Sequence, residues 1–151
     1  MSPKVQLQTT QRLIQYSLAV LWIYQGLIPK ILFQSAAEIQ IWQSVGFEPT
    51  LAKICVALSG LVEILFGGTF LLWHKSRFVH QLNIVGLAGL LLLITLTDPS
   101  QLSSAFNPVI MNSAMIILSV IALQLLDLNR TLAQSTKPAC DALPEYNKKD
   151  S

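Results

Sequence analysis

The sequence predicts an all-α integral membrane protein, an antiparallel four-helix bundle with both termini in the cytoplasm. Three observations carry this. Of 151 residues, 52% are hydrophobic and only 12% charged, with a mean hydropathy of +0.54; soluble domains carry about 25% charged residues. The apolar residues are gathered into four blocks, Leu13–Phe33, Leu51–Trp73, Val79–Thr97 and Pro108–Leu126. Each is near the ~20 residues that a helix rising about 1.5 Å per residue needs to cross ~30 Å of hydrocarbon. No block alternates polar with apolar residues, which argues against the strands of a barrel. The third observation is charge. Lys4, Arg12, Lys75, Arg77, Arg130, Lys137, Lys148 and Lys149 all fall on one side, leaving only Lys30 and Lys53 beside the first connection. The positive-inside rule then makes this a multi-pass protein of the inner membrane with cytoplasmic termini. The lipid bilayer is its expected partner. A net charge of +2 with no basic helical stripe gives no footing for nucleic acid.

Residues 1–12 form a short cytoplasmic segment, residues 13–126 the membrane domain and residues 127–151 a polar, proline-interrupted tail expected to be disordered. Block one is read as a span. A cleaved signal peptide is disfavoured, because its apolar stretch would be shorter, about 7–15 residues, and Lys30 intervenes before the small residues of "FQSAAE". Within this block "QGLIPK" predicts a kink facing the bundle interior. Pro29 has no N–H to give the Gln25 carbonyl, and Gly26 lets a neighbouring helix approach.

The outer connection, residues 34–49, has a rough apolar side in Ile39, Ile41, Trp42 and Val45 and reads as an interfacial half-helix that Gly46 and Pro49 would end. The short connection "WHKSRFVH" makes spans two and three antiparallel neighbours. It sets Trp73, Lys75 and Arg77 at the headgroups. With no third ligand nearby, His74 and His80 read as interfacial histidines and no metal site is predicted. Asn107 is placed to cap the fourth span and Pro108 to occupy its first position. Cys55 and Cys140 fall on opposite sides of the bilayer and cannot bridge.

The intramembrane polar residues are the candidates for function. Glu63 sits one residue past the middle of its block, where an acid costs roughly 3 kcal/mol to bury. Gly60 and Gly67 share its helical face and would bring another helix against it. Lys30 either snorkels to the outer headgroups or meets Glu63. Centring each block separately leaves them about six residues, ~9 Å, apart in depth, which favours a water-bridged contact over a direct one. Gln25 and Asn112 complete the candidate set, and Asn112 shares a face with Met115, Ser119 and Ala122. Asn83 is a further candidate to share the polar interior, but it lies toward the cytoplasmic end, nearer neither Lys30 nor Glu63.

"QGLIPK", "GLVEILFGG" and "AFNPVIMN" resemble, in order and in span, the DoxX-like family of small four-helix membrane proteins, over about residues 11–126. The family takes its name from a membrane subunit of a thiosulfate:quinone oxidoreductase. The resemblance implies the bundle and weight on Gly26, Pro29, Lys30 and Glu63. It transfers no activity, since the chain has neither a cofactor fingerprint nor a C-x-x-C pair.

Two functional readings follow. In one, the chain is an accessory subunit of a redox system. It binds quinone or a lipid-like molecule, never covalently, at Lys30 and Glu63, with a soluble oxidoreductase or another membrane subunit as partner. In the other it is a non-catalytic assembly partner whose buried polar residues only fix helix packing. Proton-coupled permeation is weaker, because no inverted repeat is visible.

Overall fold

The computed structural model describes residues 3–73, 75–97 and 108–141. Among them there is no strand. Helix α1 is Pro3–Gln25, continued by a π-helical segment over Gly26–Leu32; α2 is Ala36–Ser44, α3 Pro49–Leu72, α4 Arg77–Thr97 and α5 Pro108–Asp141. Helices α3, α4 and α5 are each long and apolar enough to cross a membrane. A fourth crossing is added if α1 with its continuation, bent by 81° into α2, counts as one broken span.

Helix boundaries follow local chemistry. Pro49 opens α3, after Glu48 in extended conformation, rather than closing the half-helix before it. Gly46, at φ +99°, turns the chain out of α2. Helix α5 begins at Pro108, as expected; Asn107 lies outside the described residues, as does His74. Two helices outrun their apolar blocks. Helix α1 starts at Pro3, because nothing in residues 4–12 breaks a helix and Thr9 and Thr10 bond back to the carbonyls of Val5 and Gln6. Helix α5 continues past Leu126 to Asp141, so the first part of the expected tail is helical.

At Pro29, where a kink is expected, the chain widens into a π-helix. Up to Ile28 each N–H can serve the carbonyl four residues back; Pro29 has none to give. In the π pattern that follows, donors reach five residues back, as Phe33 N–H does to Ile28 O at 3.1 Å. The Gln25 carbonyl therefore passes from Pro29 to Lys30, and no buried acceptor is orphaned in lipid. The sharp bend comes later, at residues 33–35, where Gln34 holds a left-handed φ of 43°.

Helix α1 packs against α3 and α5, α4 against α5, and α2 against α3. Leu18, Phe70, Leu87, Met115 and Ala122 are fully or almost fully buried at the centre. Asn112, Met115, Ser119 and Ala122 form one buried face of α5. The outward faces carry Val62, Leu65, Val85, Leu96 and Ile110, all well exposed. A continuous apolar surface of that kind is what hydrocarbon covers.

Candidate functional site

Two glycines set the site. A Cβ built on Gly26 would run into the carbonyl oxygen of Gly60, and one built on Gly60 would lie 2.6 Å from that of Gly26. The backbones of α1 and α3 thus touch, which only residues lacking a Cβ permit. One helical face further along, Gly67 lies under Ala19 and Trp22. Gly60, Glu63 and Gly67 do share the face that meets α1.

This contact fixes the register that centring each block had misjudged. Gly60 lies opposite Lys30, whose Cβ is 2.8 Å from the position a Gly60 Cβ would take, while Glu63 Cβ lies 3.1 Å from that of Gly26. Lys30 and Glu63 are therefore only about three residues apart in depth, ~4.5 Å at the helical rise. The pair is direct, not water-bridged: Lys30 Nζ donates to Glu63 Oε1 at 2.5 Å. Both side chains are mostly buried, at 15% and 14% exposure, so Lys30 does not snorkel and Glu63 does not face the acyl chains.

A second acid joins them. The bend at residues 33–35 folds α2 back so that Glu38 Oε2 stands 3.4 Å from Lys30 Nζ. One ammonium is shared between two carboxyl groups. Burial pushes the Glu38 carboxyl above the usual carboxylate range, and Lys30 only partly offsets this. Glu63 Oε2 is buried and accepts no hydrogen bond within the protein. Glu38 was not among the sequence candidates. It lies past the end of an apolar block, and nothing local signals that the chain doubles back there.

Gln25 and Asn112 form a separate link between α1 and α5, with Gln25 Nε2 donating to Asn112 Oδ1 at 3.0 Å. Deeper along α1 lies a further polar cluster, of which the sequence offered Asn83 for the interior but not its pairing with Trp22, Ser119 and His80. Trp22 Nε1 donates to Asn83 Oδ1 at 2.7 Å, and Asn83 Nδ2 donates to Ser119 Oγ at 2.8 Å and, more weakly, to the Met115 carbonyl at 3.4 Å. His80 Nδ1 is 3.4 Å from the same Ser119 hydroxyl, and its ring lies edge-on to Phe70. His80 is 1% exposed, so it is not an interfacial histidine. It stands one turn inside α4, on the face turned to α5, where Ser119 can meet it. Trp22, Asn83 and Ser119 fall on inward faces at helical spacing, and that was the available signal.

The site offers an ammonium donor, two carboxyl groups and, nearby, a side-chain amide pair. Such a set can orient a polar headgroup and exchange a proton with it. Among the described residues no three His, Cys, Asp or Glu side chains gather as metal ligands would. Compared with known families, residues 19–120 match the DoxX-like family, well over half of the chain. No curated protein and no solved structure matches it.

Proposed function

This chain belongs to the DoxX-like family, and on that premise we propose that it is an accessory subunit of a membrane redox system, binding quinone or a similar lipid-like molecule at Lys30 and Glu63. In this reading the chain is a four-span antiparallel bundle of the inner membrane, α1 with its π continuation being the first span and α2 lying on the outer face. Both termini are cytoplasmic, and a soluble oxidoreductase or another membrane subunit docks with it.

One observation carries the proposal: Glu63 Oε2 is buried without a hydrogen-bond donor, beside an ammonium already shared with Glu38. An acceptor left so in lipid calls for a proton or a donor. The groups present fit a quinone, whose carbonyl accepts from Lys30 and whose hydroxyl, once reduced, donates to Glu63. A bound quinone would supply the electron-accepting ring. The chain's own residues would bind and orient its head: Lys30 as donor, Glu63 as the group that holds or yields a proton at Oε2. Gln25 and Asn112 would stand behind them.

The test is lipid extraction of the purified protein. Quinone should be retained, and Glu63→Gln should lower retention about tenfold, as expected for one lost charge-assisted hydrogen bond. Wild-type protein that carries no quinone sinks the proposal. The second reading, a non-catalytic assembly partner, draws on the Gln25–Asn112 and Trp22–Asn83 bonds that tie α1 to α5 and α4. It expects Glu63→Gln to leave function intact and to weaken packing by under ~2 kcal/mol.

A further inference from the structure

At the far end of α1 from the Lys30–Glu63 pair, the structure holds two adjoining cavities of about 200 Å³ each. The first is polar and basic. Arg12 and Lys75 line it together with Gln11 and Gln15, and among the described residues no carboxylate lines it. Arg77, the neighbouring cation, is engaged elsewhere, by Asp127 at 2.8 Å. The second cavity shares Arg12 and Gln15 with the first and continues along Tyr16, Phe70 and Leu71. Tyr16 is one helical turn further into α1 than Arg12, and Phe70 and Leu71 precede Lys75 by about a turn. Cationic wall and apolar trough thus follow one another in the direction in which a lipid enters its leaflet.

Depth agrees with this. Helix α3 runs about 36 Å at 1.5 Å per residue, enough to cross the ~30 Å of a hydrocarbon core, and Lys75 follows its end, so Lys75 and the Arg12 that shares its cavity stand at a membrane interface. Either cavity is smaller than the ~300–1,000 Å³ of a small-molecule pocket, and Arg12 and Gln15 wall both of them.

We propose that this trough binds one phosphate-bearing amphiphile, its phosphate on Arg12 and Lys75 and an acyl chain along Tyr16 and Leu71. Two cations with side-chain amides beside them suit a phosphodiester, which accepts charge-assisted hydrogen bonds from both. A free phosphate would use the same cations but leave the apolar trough empty. The site is independent of the reading given to Lys30 and Glu63.

The experiment uses the full chain in an uncharged detergent, offered dioleoylphosphatidylglycerol and dioleoylphosphatidylcholine in equal amounts, with retained lipid read by native mass spectrometry. Phosphatidylglycerol should be kept in preference, and excess inorganic phosphate should not displace it. Arg12→Gln and Lys75→Gln should each lower its retention about tenfold. Arg130→Gln, which removes the same charge from an exposed position on α5, should not. Arg12→Lys should keep most of the binding. Equal retention of the two lipids, or an equal loss in Arg130→Gln, overturns the site in favour of a general basic surface. Displacement by inorganic phosphate overturns the lipid assignment. Should Arg12→Gln fail to fold, Lys75→Gln, in an exposed connection, decides the matter alone.

Discussion

Replacing Gly60 by alanine tests the register on which the site depends. The new methyl would meet the Gly26 carbonyl oxygen at 2.6 Å, Lys30 Cβ at 2.8 Å and Ile31 Cγ1 at 3.2 Å. The first is backbone and cannot swing aside, so α1 and α3 must separate by roughly 0.5–1 Å to restore ordinary contact. A gap of that size forfeits about a quarter to a half of each contact's attraction along the seam. Overpacking of this kind costs about 1–3 kcal/mol, against ~0.5–1 kcal/mol gained from alanine's better helix propensity. Net destabilisation of up to about 2.5 kcal/mol is expected. Gly68 and Gly86, whose built Cβ meets nothing within 4 Å, supply the controls, and alanine there should be neutral or stabilising. Unfolding in mixed micelles, followed by far-UV circular dichroism, reads the difference. If Gly60→Ala is no worse than Gly86→Ala, the close approach of α1 and α3 is wrong, and the direct Lys30–Glu63 contact goes with it.

Trp22→Phe removes the donor to Asn83 Oδ1 and leaves a buried acceptor unpaired, so a loss of about 1–3 kcal/mol is expected in the same unfolding assay; a change below ~0.5 kcal/mol would mean that Asn83 is otherwise satisfied. Because the folded-state pKa of Glu38 is raised, the folded protein holds this proton more tightly than the unfolded chain, and its contribution to stability falls as pH rises from the ordinary carboxylate pKa through the raised one. Glu38→Gln should therefore flatten the decline in melting temperature above about pH 4.5, and an unchanged pH profile would exclude Glu38 as its source. Gln34→Gly relieves the left-handed backbone at the bend and should stabilise by up to ~1 kcal/mol, whereas Gln34→Ala should not; equal effects would place the strain elsewhere.

The helices and the candidate acid were legible because they rest on one-dimensional signals. Apolar blocks of spanning length are read directly, and Glu63 stands out as an acid amid leucine and isoleucine. Gly60 and Gly67 were legible for the same reason, as small residues on its face. What the sequence could not convey was relative height. Block centres place Lys30 and Glu63 too far apart, because the sliding of α1 along α3 is decided by where two glycines permit backbone contact. Glu38 was hidden behind a bend that a left-handed glutamine, not a glycine or proline, creates. His80 was misread because proximity to a basic connection says nothing about which way a helix face turns. Pro29 was correctly singled out, but that its missing donor is absorbed by a π-helical turn is decided by the backbone around it and not by the proline alone.

The separation of Lys30 and Glu63 by 33 positions also has a meaning in time. At about 5–20 residues per second of synthesis, the lysine leaves the ribosome roughly 2 to 7 seconds ahead of its acid. Over that interval Glu38 is the one of its two carboxyl partners that is already beside it in the chain. A released chain truncated before residue 63 should leave Lys30 more open to amine-modifying reagents than the full chain.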